Sequence, residues 1–214
     1  MNLFYGSKTF FQKPTFGVGN PCNDYGLGFY LTDSFEMAEL WACQNKEGGF
    51  ALSFSLDSTG LRILRLDDAS EKGILEWITL LVKHRFPYGE KMANKQTIDW
   101  LIRHFDVPVN QYDMIVGYRA DDSYFNYSLG FVTGQISLET LAKAMKLGKL
   151  TLQYALLSQE AFQRLRFLNA SPIPYQEDYR RFREKTLEEY HQILQKEDRF
   201  HNTFIGELMK KYGE

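Results

Sequence analysis

The chain has 214 residues, 44% of them hydrophobic and 15% aromatic, enough apolar material to bury a substantial core and to exclude global disorder. A formal net charge of -2 removes the broad electrostatic argument for nucleic-acid binding, and no apolar run is long enough to span a bilayer. Cys22 and Cys43, the two cysteines, form neither a Cys-x-x-Cys pair nor a disulfide framework; free thiols and a single bond both fit.

In chain order, Asn2 to Gly6 reads as a strand. Ser7 to Asn23 follows as a long loop rich in Phe, Gly and Pro, whose Phe10, Phe11 and Phe16 are expected to fold back on the core. The stretch from Asp24 to Ala42 anchors the chain. Gly26 and Gly28 flank Leu27, Phe29-Tyr30-Leu31 favours a strand, and Ser34 can cap a helix whose apolar face is Phe35, Ala38, Trp41 and Ala42. Gly48-Gly49 ends that helix, and Phe50 to Leu56 alternates like a half-buried strand. Leu61 to Leu66 alternates too, and with Thr59-Gly60 before it the two strands read as a hairpin.

Ile74, Leu75, Ile78, Leu81 and Val82 form a helical stripe with Trp77 at its edge, stopped by Phe86 to Gly89. Ile98, Leu101, Ile102 and Phe105 form a second. Tyr112 to Tyr118 is the best candidate for a buried central strand, and it leads to Asp121-Asp122, most simply a solvated turn. Ser137 caps a helix through Met145 with Lys143, Lys146 and Lys149 along or beyond its polar side. Leu150 to Ser158 is the last strong strand, and Ala161-Phe162 with Leu165 and Phe167 closes the compact part. Ser171-Pro172-Ile173-Pro174 marks a boundary, because prolines disrupt regular pairing. The expected division is therefore a domain over 1–170 and a charged helical extension over 171–214, its apolar stripes packing on the domain or meeting a partner.

Several chemistries lack their residues. His84, His104, His191 and His201 stand at no metal-ligand spacing, Gly17-x-Gly19 lies in an irregular loop, and there is neither a Walker loop nor a Gly-x-Ser-x-Gly elbow.

Gly28-Phe29-Tyr30-Leu31-Thr32, followed by a helix with Trp41-Ala42, resembles the second signature of ADP-ribosyltransferases of the His-Tyr-Glu class. Leu3-Phe4-Tyr5-Gly6-Ser7 is similar to their first, with Tyr5 in place of His, and Gln153-Tyr154-Ala155-Leu156-Leu157 to their third, with Gln153 in place of Glu. The whole layout resembles a bacterial family of unknown-function domains in that clan, many of them suspected toxins or effectors. The resemblance covers about the first 168 residues.

It implies an α+β fold, an ADP-ribosyltransferase-like split β-sandwich with flanking helices and a helical C-terminal extension. It also implies NAD as co-substrate, with Tyr30 and Gln153 as catalytic residues. Tyr5, Gly6, Ser7, Gly28 and Tyr30 would bind NAD: Tyr30 stacking on nicotinamide, the Gly6 backbone holding the carboxamide, Tyr5 bonding a ribose. No metal is implied. The expected activity is ADP-ribosyl transfer to an unidentified macromolecular acceptor, as a toxin or effector, with an antitoxin or other regulatory protein as a further partner and no membrane. The location expected is the cytoplasm, or delivery as an effector without a conventional signal peptide. An amide at 153 can hold a ribose hydroxyl but carries no charge. A partner-binding module without catalysis, and an NAD glycohydrolase, therefore stay open.

Overall fold

The computed structural model describes residues 1–43, 48–85, 94–120, 122–147, 152–175 and 177–213. Its elements are β1 (Asn2–Ser7), β2 (Phe29–Thr32), α1 (Phe35–Ala42), β3 (Gly49–Leu56), β4 (Ile63–Leu66), α2 (Glu71–Arg85), α3 (Lys95–Phe105) and β5 (Met114–Tyr118). There follow α4 (Asp122–Val132), α5 (Leu138–Ala144), β6 (Leu152–Leu156), α6 (Gln159–Gln163), β7 (Leu165–Ile173), α7 (Asp178–Leu194) and α8 (Ile205–Tyr212). The class is α+β. One mixed sheet of seven strands runs in the order β4-β5-β6-β2-β1-β3-β7, with β4–β5 its parallel pair.

Alternation along β5 sends Ile115 to one face and Met114 and Val116 to the other, so two cores form. The larger joins Ile115 and Ala155 to α2, α3, α5 and α8. The smaller collects Leu3, Leu31, Leu52, Phe54 and Leu156 on the opposite face. Helix α2 is buried over most of its circumference, Trp77 included, because it fills the larger core.

The seam between β1 and β2 is a single pairing, Phe4 with Thr32. The sheet must turn there. Crossing from β3 to β4 takes four antiparallel steps and one parallel step, so both strands run in the same sense and β4 starts at the far end of the sheet from where β3 stops. The link over 57–62 contains a turn, Leu61 N–H to Ser58 O at 3.2 Å. Even fully stretched it would reach only about 25 Å, whereas five strand spacings need about 24 Å sideways before any strand length is added. A flat sheet is therefore impossible.

The same topology corrects the expected hairpin: β4 pairs in parallel with β5, and β3 pairs with β1 and β7. Residues 170 and 171, where the boundary was expected, are consecutive in β7, opposite Leu52 and Ala51. Pro172 is tolerated because β7 is an edge strand. Tyr190, Ile205 and Leu208 of the last two helices belong to the larger core. Helix α4 was not foreseen.

Ser34 and Ser137 cap α1 and α5 as expected, accepting from Met37 N at 3.2 Å and Thr140 N at 3.1 Å. Phe11 packs on Tyr5 and Phe54, while Phe10 and Phe16 touch other rings yet stay 49% and 48% exposed. Both cysteines are free. Phe86 to Gly89, Asp121 and Lys149 fall outside the described residues. Among those described, no helix is long and apolar enough to cross a membrane.

Candidate functional site

The seam leaves a backbone edge open. Met1 and Leu56 exchange both of their backbone hydrogen bonds, at 2.8 and 2.9 Å, so odd-numbered residues of β1 bond to β3 and even-numbered ones turn their N–H and C=O toward β2. Phe4 meets Thr32. Gly6 comes next on that edge and has no ladder partner there among the described residues, although the continued register sets it opposite Tyr30. On its other side helix α1 lies against the glycine: a Cβ would come within 2.6 Å of Ala42 N, and closer still to Ala38 O.

Tyr30 and Gln153 are brought together by sheet register. Thr32 pairs with Gln153 and Tyr30 with Ala155, which places Tyr30 and Gln153 diagonally on one face. The Tyr30 hydroxyl donates to Gly26 O at 2.5 Å and accepts from Tyr25 N at 3.1 Å. This fixes the ring plane. Burial first, and the charge of Asp24 second, push this phenol far above its usual pKa. Gly26 adopts φ +84°, and the space its side chain would need is taken by His84, 2.9 Å away.

A cleft of about 500 Å³ opens at the seam, lined by Tyr5, Gly6, Gly28, Tyr30 and Gln153. Ser7 is not in its wall; its hydroxyl accepts from Thr9 N at 3.2 Å. The Tyr5 ring packs at 4.7 Å from Phe29 and 5.7 Å from Phe11, burial raises its pKa, and its hydroxyl makes no hydrogen bond among the described residues. Gly28 is kept small by Leu156 O, 2.9 Å from where a Cβ would sit.

Sequence reasoning missed the charged wall. Asp24, Arg85 and Arg119 also line the cleft. Asp24 is 3% exposed; Oδ1 accepts from Arg85 Nε at 2.6 Å, and Oδ2 accepts from Ala120 N at 2.9 Å and Gln153 Nε2 at 3.4 Å. Burial raises the carboxyl's pKa, and the Arg85 guanidinium and the Ala120 amide partly reverse this. Arg85 also donates to Ala120 O. The Arg119 guanidinium lies 4.6 Å from the centre of the Trp41 ring. The Trp41 Nε1 is a buried donor without a partner among the described residues. Among the described residues of the wall, one carboxylate stands against two guanidiniums. The one available signal was Asp24 and Arg119 flanking predicted strands, and nothing local ties them to Arg85.

A sequence profile of the family described as protein of unknown function (DUF3990) matches residues 1–167. The chain belongs to this family. The DUF3990 match takes in every residue of the cleft wall and ends within β7. No curated protein and no solved structure matches the chain.

Proposed function

We propose that the protein is an NAD-dependent ADP-ribosyltransferase acting on a macromolecular acceptor, with the seam cleft as its NAD site. The observation that carries this reading is the unpaired Gly6 edge opposite Tyr30. A carboxamide needs one donor and one acceptor side by side, and the N–H and C=O of one strand residue supply that pair. Tyr30, its ring plane held by two hydrogen bonds, offers a surface for stacking the nicotinamide. Arg119, set on Trp41, suits a diphosphate, and Gln153 suits a ribose hydroxyl. NAD supplies an activated bond from ribose to nicotinamide, which breaks as the acceptor's nucleophile takes the ribose carbon and nicotinamide leaves. For this the chain has to hold the ribose still and exclude water, work done by positioning and fixed dipoles. A sheet that turns at a single-pair seam supports a split β-sandwich.

One observation favours the non-catalytic alternative. The carboxylate of the cleft wall is matched by Arg85 at 2.6 Å, so little net negative charge faces the ribose. The two readings part on turnover. Calorimetry with NAD, followed by labelled NAD mixed with fractionated bacterial lysate, is expected to show binding and transfer of label to one fraction. Tyr30→Ala should lose both. Binding without turnover in any fraction would establish the binding module, and no binding would remove the NAD site.

A further inference from the structure

We propose that Asp24 is a positioning residue: its buried carboxylate holds the Gln153 amide with nitrogen inward, so that Oε1 is presented to the cleft as the acceptor for a ligand hydroxyl. The ligand part of this inference rests on the nucleotide reading above; the orientation of the amide does not.

The orientation follows from counting donors and acceptors. Both Asp24 oxygens already accept N–H donors, Oδ1 from Arg85 and Oδ2 from Ala120. The guanidinium of Arg85 at 2.6 Å and the Ala120 N–H both favour the ionised carboxylate, whose oxygens can only accept, so the group beside Oδ2 donates. Gln153 can do this only through Nε2, which lies 3.4 Å away. With Asp24 3% and Gln153 6% exposed, no water layer separates them, and reversing the amide would set a carbonyl oxygen against a buried carboxylate. The remaining amide atom, Oε1, is an acceptor only. It therefore selects a ligand that donates there, as a ribose hydroxyl does.

The pair also gives a physical reason for glutamine at this place. A glutamate would bring a second carboxylate within hydrogen-bond distance of Asp24 on a buried wall, and one of the two would have to keep a proton. In this chain the negative charge sits at Asp24 and the hydroxyl acceptor at Gln153. Among the described residues, the charged and titratable groups facing the pair are Arg85 at the end of α2, Arg119 beyond β5, and Tyr25 and Tyr30 on either side of the Gly-x-Gly turn.

A double-mutant cycle on the full chain tests this, with NAD as the probe and both calorimetric affinity and the KM-against-kcat split as readouts. Asp24→Asn sets a second amide against Gln153 and releases its orientation, while Gln153→Ala removes the acceptor. Each is expected to weaken NAD handling about tenfold, and the double variant is expected to be no worse than Gln153→Ala alone, because Asp24 acts through Gln153. Losses that multiply would overturn the inference and leave the NAD site standing. A wild-type protein that binds no NAD would remove both.

Should Asp24→Asn fail to fold, Gln153→Glu carries the test. Titrated by NMR, the pair formed by Asp24 and the Gln153→Glu carboxyl is expected to keep one proton well above the ordinary carboxyl values of about 4, on whichever partner holds it. Ionisation of both carboxyls at ordinary values would show that residue 153 does not face Asp24.

Discussion

Trp41 takes the space that a side chain at Gly6 would need: a Cβ there would collide with the Trp41 Cβ and lie 2.6 Å from Ala42 N. The backbone of α1 is part of that collision, so no rotamer relieves it. Gly6→Ala is expected to lift α1 from β1 and destabilise the protein by about 1–3 kcal/mol, the usual cost of overpacking. Thermal unfolding measures it. An unchanged Tm would show that α1 can yield, and that Gly6 is required only by the cleft.

The same glycine shows what the sequence could and could not tell. Gly6, Tyr30 and Gln153 were singled out by short motifs that resemble known signatures, and their meeting in one cleft depends on the register of β1, β2 and β6, which alternation alone does not name. Asp24 and Arg85 were not, since their pairing joins a loop to the end of α2. The β4 error has the same origin. Leu61 to Leu66 alternates cleanly, but alternation does not name a partner, and the Thr-Gly turn pointed to the wrong one. Helix α4 hid behind Ser-Tyr-Phe-Asn-Tyr-Ser, residues of modest helix propensity, although its Tyr127, Phe131 and Val132 belong to the larger core. Strand β7 hid behind Pro172, which an edge position excuses.

Tyr30→Phe should cost about 1–3 kcal/mol at neutral pH, because it removes the donor to Gly26 O and the acceptor for Tyr25 N. At high pH the cost shrinks. The folded phenol's pKa is raised far above its usual value, so its contribution is whole below about pH 10, where the unfolded chain begins to lose the proton, and declines as pH rises further. Tyr25 is raised in the same direction and keeps its own alkaline loss. Denaturant unfolding across the alkaline range should therefore show a shallower decline for Tyr30→Phe than for wild type. Equal slopes would mean that Tyr30 ionises normally in the fold.

Truncation after Ala170 is expected to give an insoluble or unfolded product. It cuts β7 in mid-strand and removes Tyr190, Ile205 and Leu208 from the larger core. It also removes Gly213 O, which accepts from Trp100 Nε1 at 2.7 Å, and Thr203 O, which accepts from Leu138 N at 2.8 Å. Leu208 is 0% exposed, so Leu208→Ala in the full chain should cost about 2–5 kcal/mol. A truncated chain that stays soluble and unfolds cooperatively would show that the last two helices are an accessory.

If Arg119 receives the diphosphate, its charge should matter for NAD and not for nicotinamide riboside, which carries no phosphate. Arg119→Met keeps an unbranched stem against the Trp41 ring while removing the guanidinium, which limits the change in packing. NAD affinity is expected to fall about tenfold at low ionic strength, the scale of one lost charge-assisted contact. The gap between variant and wild type should narrow as added salt screens this partly open cleft. Riboside affinity should stay level throughout. Calorimetry with both ligands at two salt concentrations separates the outcomes. Equal losses for NAD and the riboside would place the effect of Arg119 in the support of Trp41 and α1, and the diphosphate would have to lie elsewhere along the cleft.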